Sequence, residues 1–298
     1  VTFARPLSLL ALAAGALVFG TLAACGSAKS GGPPAGDAGS DTATADGAAE
    51  TGPTTTGAGA LLFTEAPDAG GTFFAGFSET APAVAPGCTR VDAGPCLTTS
   101  CPPAMASEAG ASDAASTPDP SAGTMTVTGG AFGAKGVAFA PDNGGTYYYA
   151  SPAAIFAPGD TLGASATGGA VPAFPEQTVT ATPIMVLTAP APGTGGKITI
   201  PTAQPLTVSW TGGQAGAKAV LVATAIFTSG AVASTTCSWD ASLGTGMAPS
   251  AALKPLAAAN AETSGIQWFQ SADRQFTVGT LAVTMSARVL QGSLASFE

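Results

Sequence analysis

LTVSW at Leu206–Trp210, a Gly212-Gly213 turn and AVLVATAIF at 219–227 set the pattern by which the chain is read. Both apolar runs are rich in β-branched residues, too short for a packed helix, and bounded by residues that supply positive φ, so they read as strands. The same pattern recurs on either side. ALLFT (60–64), TFFAGF (72–77), TMTVTG (124–129), GVAFAP (136–141) and TYYYAS (146–151) precede it, followed by TVTATPIMVL (178–187) and KITIP (197–201). QFTVGTLAVTMSARVL (275–290) closes the series. Pro158-Gly159-Asp160 and Asp142-Asn143-Gly144-Gly145 punctuate the runs with turn chemistry.

Many short strands separated by turns indicate an all-β protein: one large or two packed antiparallel β-sandwich units behind a disordered tether. The one helical candidate is short, Ser250 to Leu256, with Pro249 just before it. The organisation inferred is an export signal over 1–24, a flexible linker over 25–58, an N-terminal β-unit over 59–187 and a C-terminal sandwich over 188–298. Within the N-terminal unit a low-complexity loop spans 102–123. The Pro- and Gly-rich segment Thr188–Gly196 is the candidate boundary, and a single continuous sandwich with a long connection is the alternative.

The 298 residues carry a formal charge of -9 with only 9% charged residues. A basic footprint for nucleic acid is therefore missing, and acidity disfavours docking on anionic lipid. The chain contains no histidine. Ser-His-Asp and Cys-His catalysis, HExxH metalloprotease sites and His-ligated zinc or copper are thereby excluded. Carboxylate chemistry, a Ser-Lys pair or an oxygen-ligated ion remain as catalytic options.

The amino-terminal segment combines Arg5, an apolar stretch from Leu9 to Phe19 and Leu22-Ala23-Ala24-Cys25. It is too short to span a bilayer, which needs roughly 20 apolar residues, and reads as a processed export signal. The tetrapeptide resembles the lipobox of bacterial lipoproteins. That resemblance implies diacylglyceryl transfer to the Cys25 thiol, cleavage just before it, acylation (palmitate) of the new amino terminus, and a membrane partner reached through lipid. Gly26 stands where an Asp often retains members of that family at the inner membrane, which points to the outer membrane of a two-membrane envelope. From Gly26 to about Gly57 almost no residue can fill a core. A flexible linker of that length has an r.m.s. span of roughly 30 Å.

With Cys25 assigned to lipid, Cys88, Cys96, Cys101 and Cys237 remain, and an even number in an exported chain predicts two disulfides. A hairpin around Asp92-Ala93-Gly94-Pro95 with Val91 opposite Cys96 puts Cys88 opposite Thr99, whose parity Cys101 shares. Cys88 then pairs with Cys101, and Cys96, on the other face, with Cys237. One residue of slip would reverse the assignment. Clustered cysteines without CxxC spacing or histidine argue against a metal or redox site.

Tyr147-Tyr148-Tyr149, Trp210, Trp239 and Trp268 are the aromatic residues that could stack on sugar rings, although in a strand Tyr147 and Tyr149 take one face and Tyr148 the other. Packing is the expected role for these rings, with Trp210 a core tryptophan of an immunoglobulin-like sandwich. Asp68, Asp92, Asp142 and Asp160 read as turn residues, since the DxDxDG calcium pattern is missing. Ser250 and Lys254 lack S-x-x-K spacing and read as surface residues.

LTVSWTGGQAGAKAVLVATAIF, followed by TTCSWDASLGTGMAPSAALKPL, resembles the C-terminal module of uncharacterised lipoproteins from high-GC bacterial genomes. The resemblance implies an immunoglobulin- or fibronectin-like sandwich and no activity. The function expected is a non-enzymatic envelope lipoprotein with a binding or structural role, without metal or cofactor. A glycan-binding module and a carboxylate-dependent hydrolase are the alternatives. A row of exposed aromatics would favour the first, two carboxyls about 5 to 10 Å apart the second, and the absence of both would leave a structural role.

Overall fold

The computed structural model of the chain describes residues 55–67, 69–80, 84–85, 87–103, 120–257 and 261–298. The signal segment, Cys25, nearly all of the linker and positions 104–119 of the expected loop lie outside the described residues.

The fold is all-β, built as two packed sandwiches. In the first, a five-stranded sheet runs in the order β17 (Arg274–Val278), β18 (Leu281–Val289), β1 (Gly57–Ala66), β2 (Gly70–Ser78), β7 (Tyr147–Ser151). It faces a four-stranded sheet of β6 (Val137–Phe139), β5 (Met125–Thr128), β8 (Thr161–Ala166) and β9 (Phe174–Thr180). Strict alternation in GGTFFAGFS buries Phe73, Ala75 and Phe77 and leaves Thr72, Phe74 and Gly76 on the other face. Phe63 and Phe73 meet at 4.9 Å between ring centroids inside this core.

The second sandwich sets a seven-stranded sheet against a three-stranded one. The larger runs β11 (Ile198–Ile200), β19 (Gln291–Phe297), β16 (Ala261–Ser271), β13 (Lys218–Phe227), β14 (Val232–Asp240), β4 (Cys96–Cys101), β3 (Thr89–Ala93). The smaller is β10 (Val186–Ala189), β12 (Leu206–Thr211) and β15 (Thr245–Ala248). Trp210 is buried in this core, and its Nε1 donates to the Ala241 carbonyl at 2.7 Å. The short helix α1 (Ser250–Leu253) follows Pro249 and continues as a 3-10 turn to Leu256. Its Ala252 carbonyl accepts from the hydroxyls of Thr98 (2.8 Å) and Thr235 (2.7 Å), which fixes the helix to the seven-stranded sheet.

The expected boundary at 188–196 does not divide the structure. The early hairpin β3–β4 belongs to the second sandwich, whereas the late strands β17 and β18 belong to the first. β16 passes through Ala272-Asp273 into β17, and β18 passes through Leu290 into β19, so one long hairpin threads both units. Most pairings are antiparallel, but β1 with β18 and β11 with β19 are parallel. TVTATPIMVL is likewise not one strand: β9 ends at Thr180, β10 begins at Val186, and the residues between cross from one sandwich to the other. The linker ends slightly earlier than position 58, because β1 starts at Gly57.

Both disulfides join cross-strand neighbours. Cys88–Cys101 closes the open end of the β3–β4 hairpin, and Cys96–Cys237 links β4 to β14 within the second core. The register differs from the one expected: Ala93, not Val91, is opposite Cys96. Gly94-Pro95 alone forms the turn, with Gly94 at φ 61°, so the hairpin is tighter by two residues and every side chain keeps its face.

Candidate functional site

Three places can be built from the residues upward: a sheet face, a junction and a cleft. The face is the outer side of the five-stranded sheet. Phe74 on β2 is directly opposite Tyr148 on β7 and Leu62 on β1, and Leu62 is opposite Ser286 on β18. These four therefore form a row across the sheet, on the side away from the first core. Tyr148 is 57% exposed, Phe74 is half-buried and Leu62 is covered. Gly76 gives the Phe74 ring its place, since a Cβ there would stand 3.2 Å from the ring. Thr64, Thr72 and Thr284 flank the row with hydroxyl groups. The exposed Tyr148 ring, bordered by neutral hydroxyls, can stack on the C–H face of a sugar and hydrogen-bond its edge.

Toward β18 this same face meets the second sandwich. Phe269, Val220 and Val222 point away from the second core and pack with Leu290. The Arg288 guanidinium stacks 4.5 Å above the Phe269 ring and is only 5% exposed. Burial pushes the Arg288 pKa down to about 10, against the opposing effect of Asp273. Among the described residues Arg288 Nε has no hydrogen-bond partner. The Ser271 and Ser286 hydroxyls both donate to Asp273 Oδ1, the latter at 2.6 Å, so the carboxylate binds the two strands that cross between units.

The cleft lies where the chain enters β1. Thr56, Glu79, Pro120, Pro172 and Thr280 line about 410 Å³ of space, with Glu79 as its one carboxylate among the described residues.

The residues singled out from sequence fall as follows. Tyr147 is fully buried, its hydroxyl donating to the Gly123 carbonyl and accepting from Ala122 N–H, while Tyr149 packs against Phe132 and Phe139. Only Tyr148 reaches the outer face. Trp210, Trp239 and Trp268 gather around one end of the second core, where Trp268 Nε1 donates to Gln291 Oε1 at 2.7 Å. Asp142 closes its own turn, Oδ1 accepting from the Gly144 and Thr146 N–H groups and Oδ2 from the Thr146 hydroxyl, which holds its carboxyl below the usual range. Asp160 accepts from Ala157 N–H, and Asp92 lies on the exposed strand β3. Lys254 is exposed and Ser250 half-buried at the ends of the short helical turn. Asp68 and Cys25 lie outside the described residues. Among the described residues no three of His, Cys, Asp and Glu converge on a metal-sized site.

Phe74, Gly76 and Arg288 were not singled out from sequence. The alternation of GGTFFAGFS carries the signal for Phe74: of its three phenylalanines, one has the outward parity. Nothing local marks Arg288, whose stacking depends on a strand from the other sandwich. No family model matches the chain, and no curated protein matches it.

Proposed function

We propose that this chain is a lipid-anchored lipoprotein of the cell envelope that binds a neutral glycan on the outer face of its five-stranded sheet. The observation that carries the binding role is the Phe74–Tyr148 pair, directly opposite on adjacent strands, with one ring seated over Gly76. The observation behind the anchor is Leu22-Ala23-Ala24-Cys25, and Gly26 favours the outer membrane. Two disulfides agree with an oxidising compartment. The non-catalytic reading is preferred because Asp142, Asp160, Asp240 and Asp273 spend their oxygens on turn and strand hydrogen bonds.

Depletion binding to a panel of insoluble neutral polysaccharides tests the ligand face. Tyr148→Ala is expected to weaken binding about tenfold, the worth of a well-formed aromatic contact, with unchanged thermal stability. Phe74→Ala should weaken it further. Equal retention of the wild type and Tyr148→Ala on every polysaccharide would overturn the assignment. In the producing cell, Cys25→Ser should abolish labelling by palmitate, and continued labelling would remove the anchor from the proposal.

A further inference from the structure

Among the described residues the seven-stranded sheet ends at β3, Thr89–Ala93, whose first four residues are exposed. An edge strand offers a row of unpaired N–H and C=O groups, and proteins commonly blunt it with proline, bulges, brevity or charge. Four of the other seven edges among the described residues carry such blocks: β6 and β11 have three residues each, β9 contains Pro175, and β10 has a register shift against β12, whereas β7, β15 and β17 have neither proline nor shift. β3 has neither proline nor bulge, and its pairing with β4 is continuous. It is also held in place, since Cys88–Cys101 closes one end and Cys96–Cys237 binds β4 to the sheet.

Its only blocking groups are Arg90 and Asp92. The two-residue turn makes Ala93 and Cys96 a hydrogen-bonded pair, so Val91 and Thr89 also direct their backbone groups toward β4. Arg90 and Asp92 direct theirs outward. Antiparallel pairing of two copies of β3 about a two-fold axis must match outward groups with outward groups. Centring it on Arg90 or on Asp92 puts like charges opposite one another. Centring it on Val91 puts Arg90 opposite the partner's Asp92 and Asp92 opposite the partner's Arg90. In that register four backbone hydrogen bonds form between chains, and the 41% exposed Val91 meets the partner's Val91 on the axis.

We propose that β3 is a self-association edge, through which a second copy of this chain extends the seven-stranded sheet across a two-fold axis. The charges that protect this strand from unrelated edges complement each other in this one register.

Sedimentation velocity of the full chain over a concentration series tests the proposal. A monomer–dimer equilibrium is expected. Arg90→Asp alone and Asp92→Arg alone should each raise the dimer dissociation constant at least about tenfold, because each turns two attractive cross-strand pairs into repulsive ones. Mixing the two variants should restore association as a heterodimer, and the double exchange R90D with D92R should restore the homodimer. Both residues are exposed, so melting temperatures measured below the dimer dissociation constant should not change. A wild-type chain monomeric at every concentration, dimerisation insensitive to both single reversals, or a mixture that stays monomeric would each overturn the proposal.

Discussion

Glu65 stands at the end of β1 with its side chain turned into the first sandwich, where Oε2 accepts from Ile155 N–H at 2.8 Å. Burial raises its pKa above 4.5, and backbone hydrogen bonds from Ile155 and Phe156 offset only part of that. A carboxyl raised in the folded state contributes stability in full below its unfolded pKa and loses it as pH rises through the folded value. Asp142 and Asp240 have the opposite sign: hydrogen bonds from Thr146 and Ser242 lower them below 3.8, so their contribution is present above that value and fades as pH falls through the folded one. Glu65→Gln should therefore gain stability relative to the wild type between about pH 4 and pH 7, read as the difference in urea midpoints. A constant difference across that range would refute the assignment. Residue-level chemistry of this kind is only partly legible in sequence. Turn aspartates announce themselves through the Gly and Thr that follow, but Glu65 sits in an ordinary strand run: burial in the folded sandwich raises its pKa, and the hydrogen bond that offsets part of the rise comes from a loop ninety positions away.

At the level of elements, the two disulfides differ in what they close. Cys96–Cys237 spans 141 residues and Cys88–Cys101 spans 13, which the chain-entropy model converts to about 5 and about 3 kcal/mol. Replacing Cys96 and Cys237 together by Ala should lower the urea midpoint more than replacing Cys88 and Cys101, and the reverse order would contradict that model. Strand reading succeeded where β-branched and aromatic residues alternate, as in TFFAGF, TYYYAS and LTVSW. It failed for TLGASA, AETSGIQWFQS and QGSLASF, whose Ala, Gly, Ser and Gln residues carry little hydrophobic contrast between faces. These become strands through the partners on either side, a tertiary effect that local pattern does not contain. The hairpin register shows the same limit: turn residues placed the bend, and parity kept each cysteine on its face through a shift of two.

The whole molecule resists division because its sequence halves interleave in space. Residues 188–298 expressed alone lack β3, β4 and Cys96, and leave β18 without its parallel partner β1. That fragment is expected to show no cooperative thermal transition, whereas the full chain melts as one unit, and calorimetry distinguishes the two. The interleaving was not legible, since the Pro- and Gly-rich stretch at 188–196 has the composition of a linker whichever strands it joins. It also has a mechanical meaning. The first described strand, β1, is flanked by β18 on one side and β2 on the other. A load directed along β1 from its amino-terminal end would shear both ladders at once instead of unzipping them pair by pair, so this strand is well placed to bear tension.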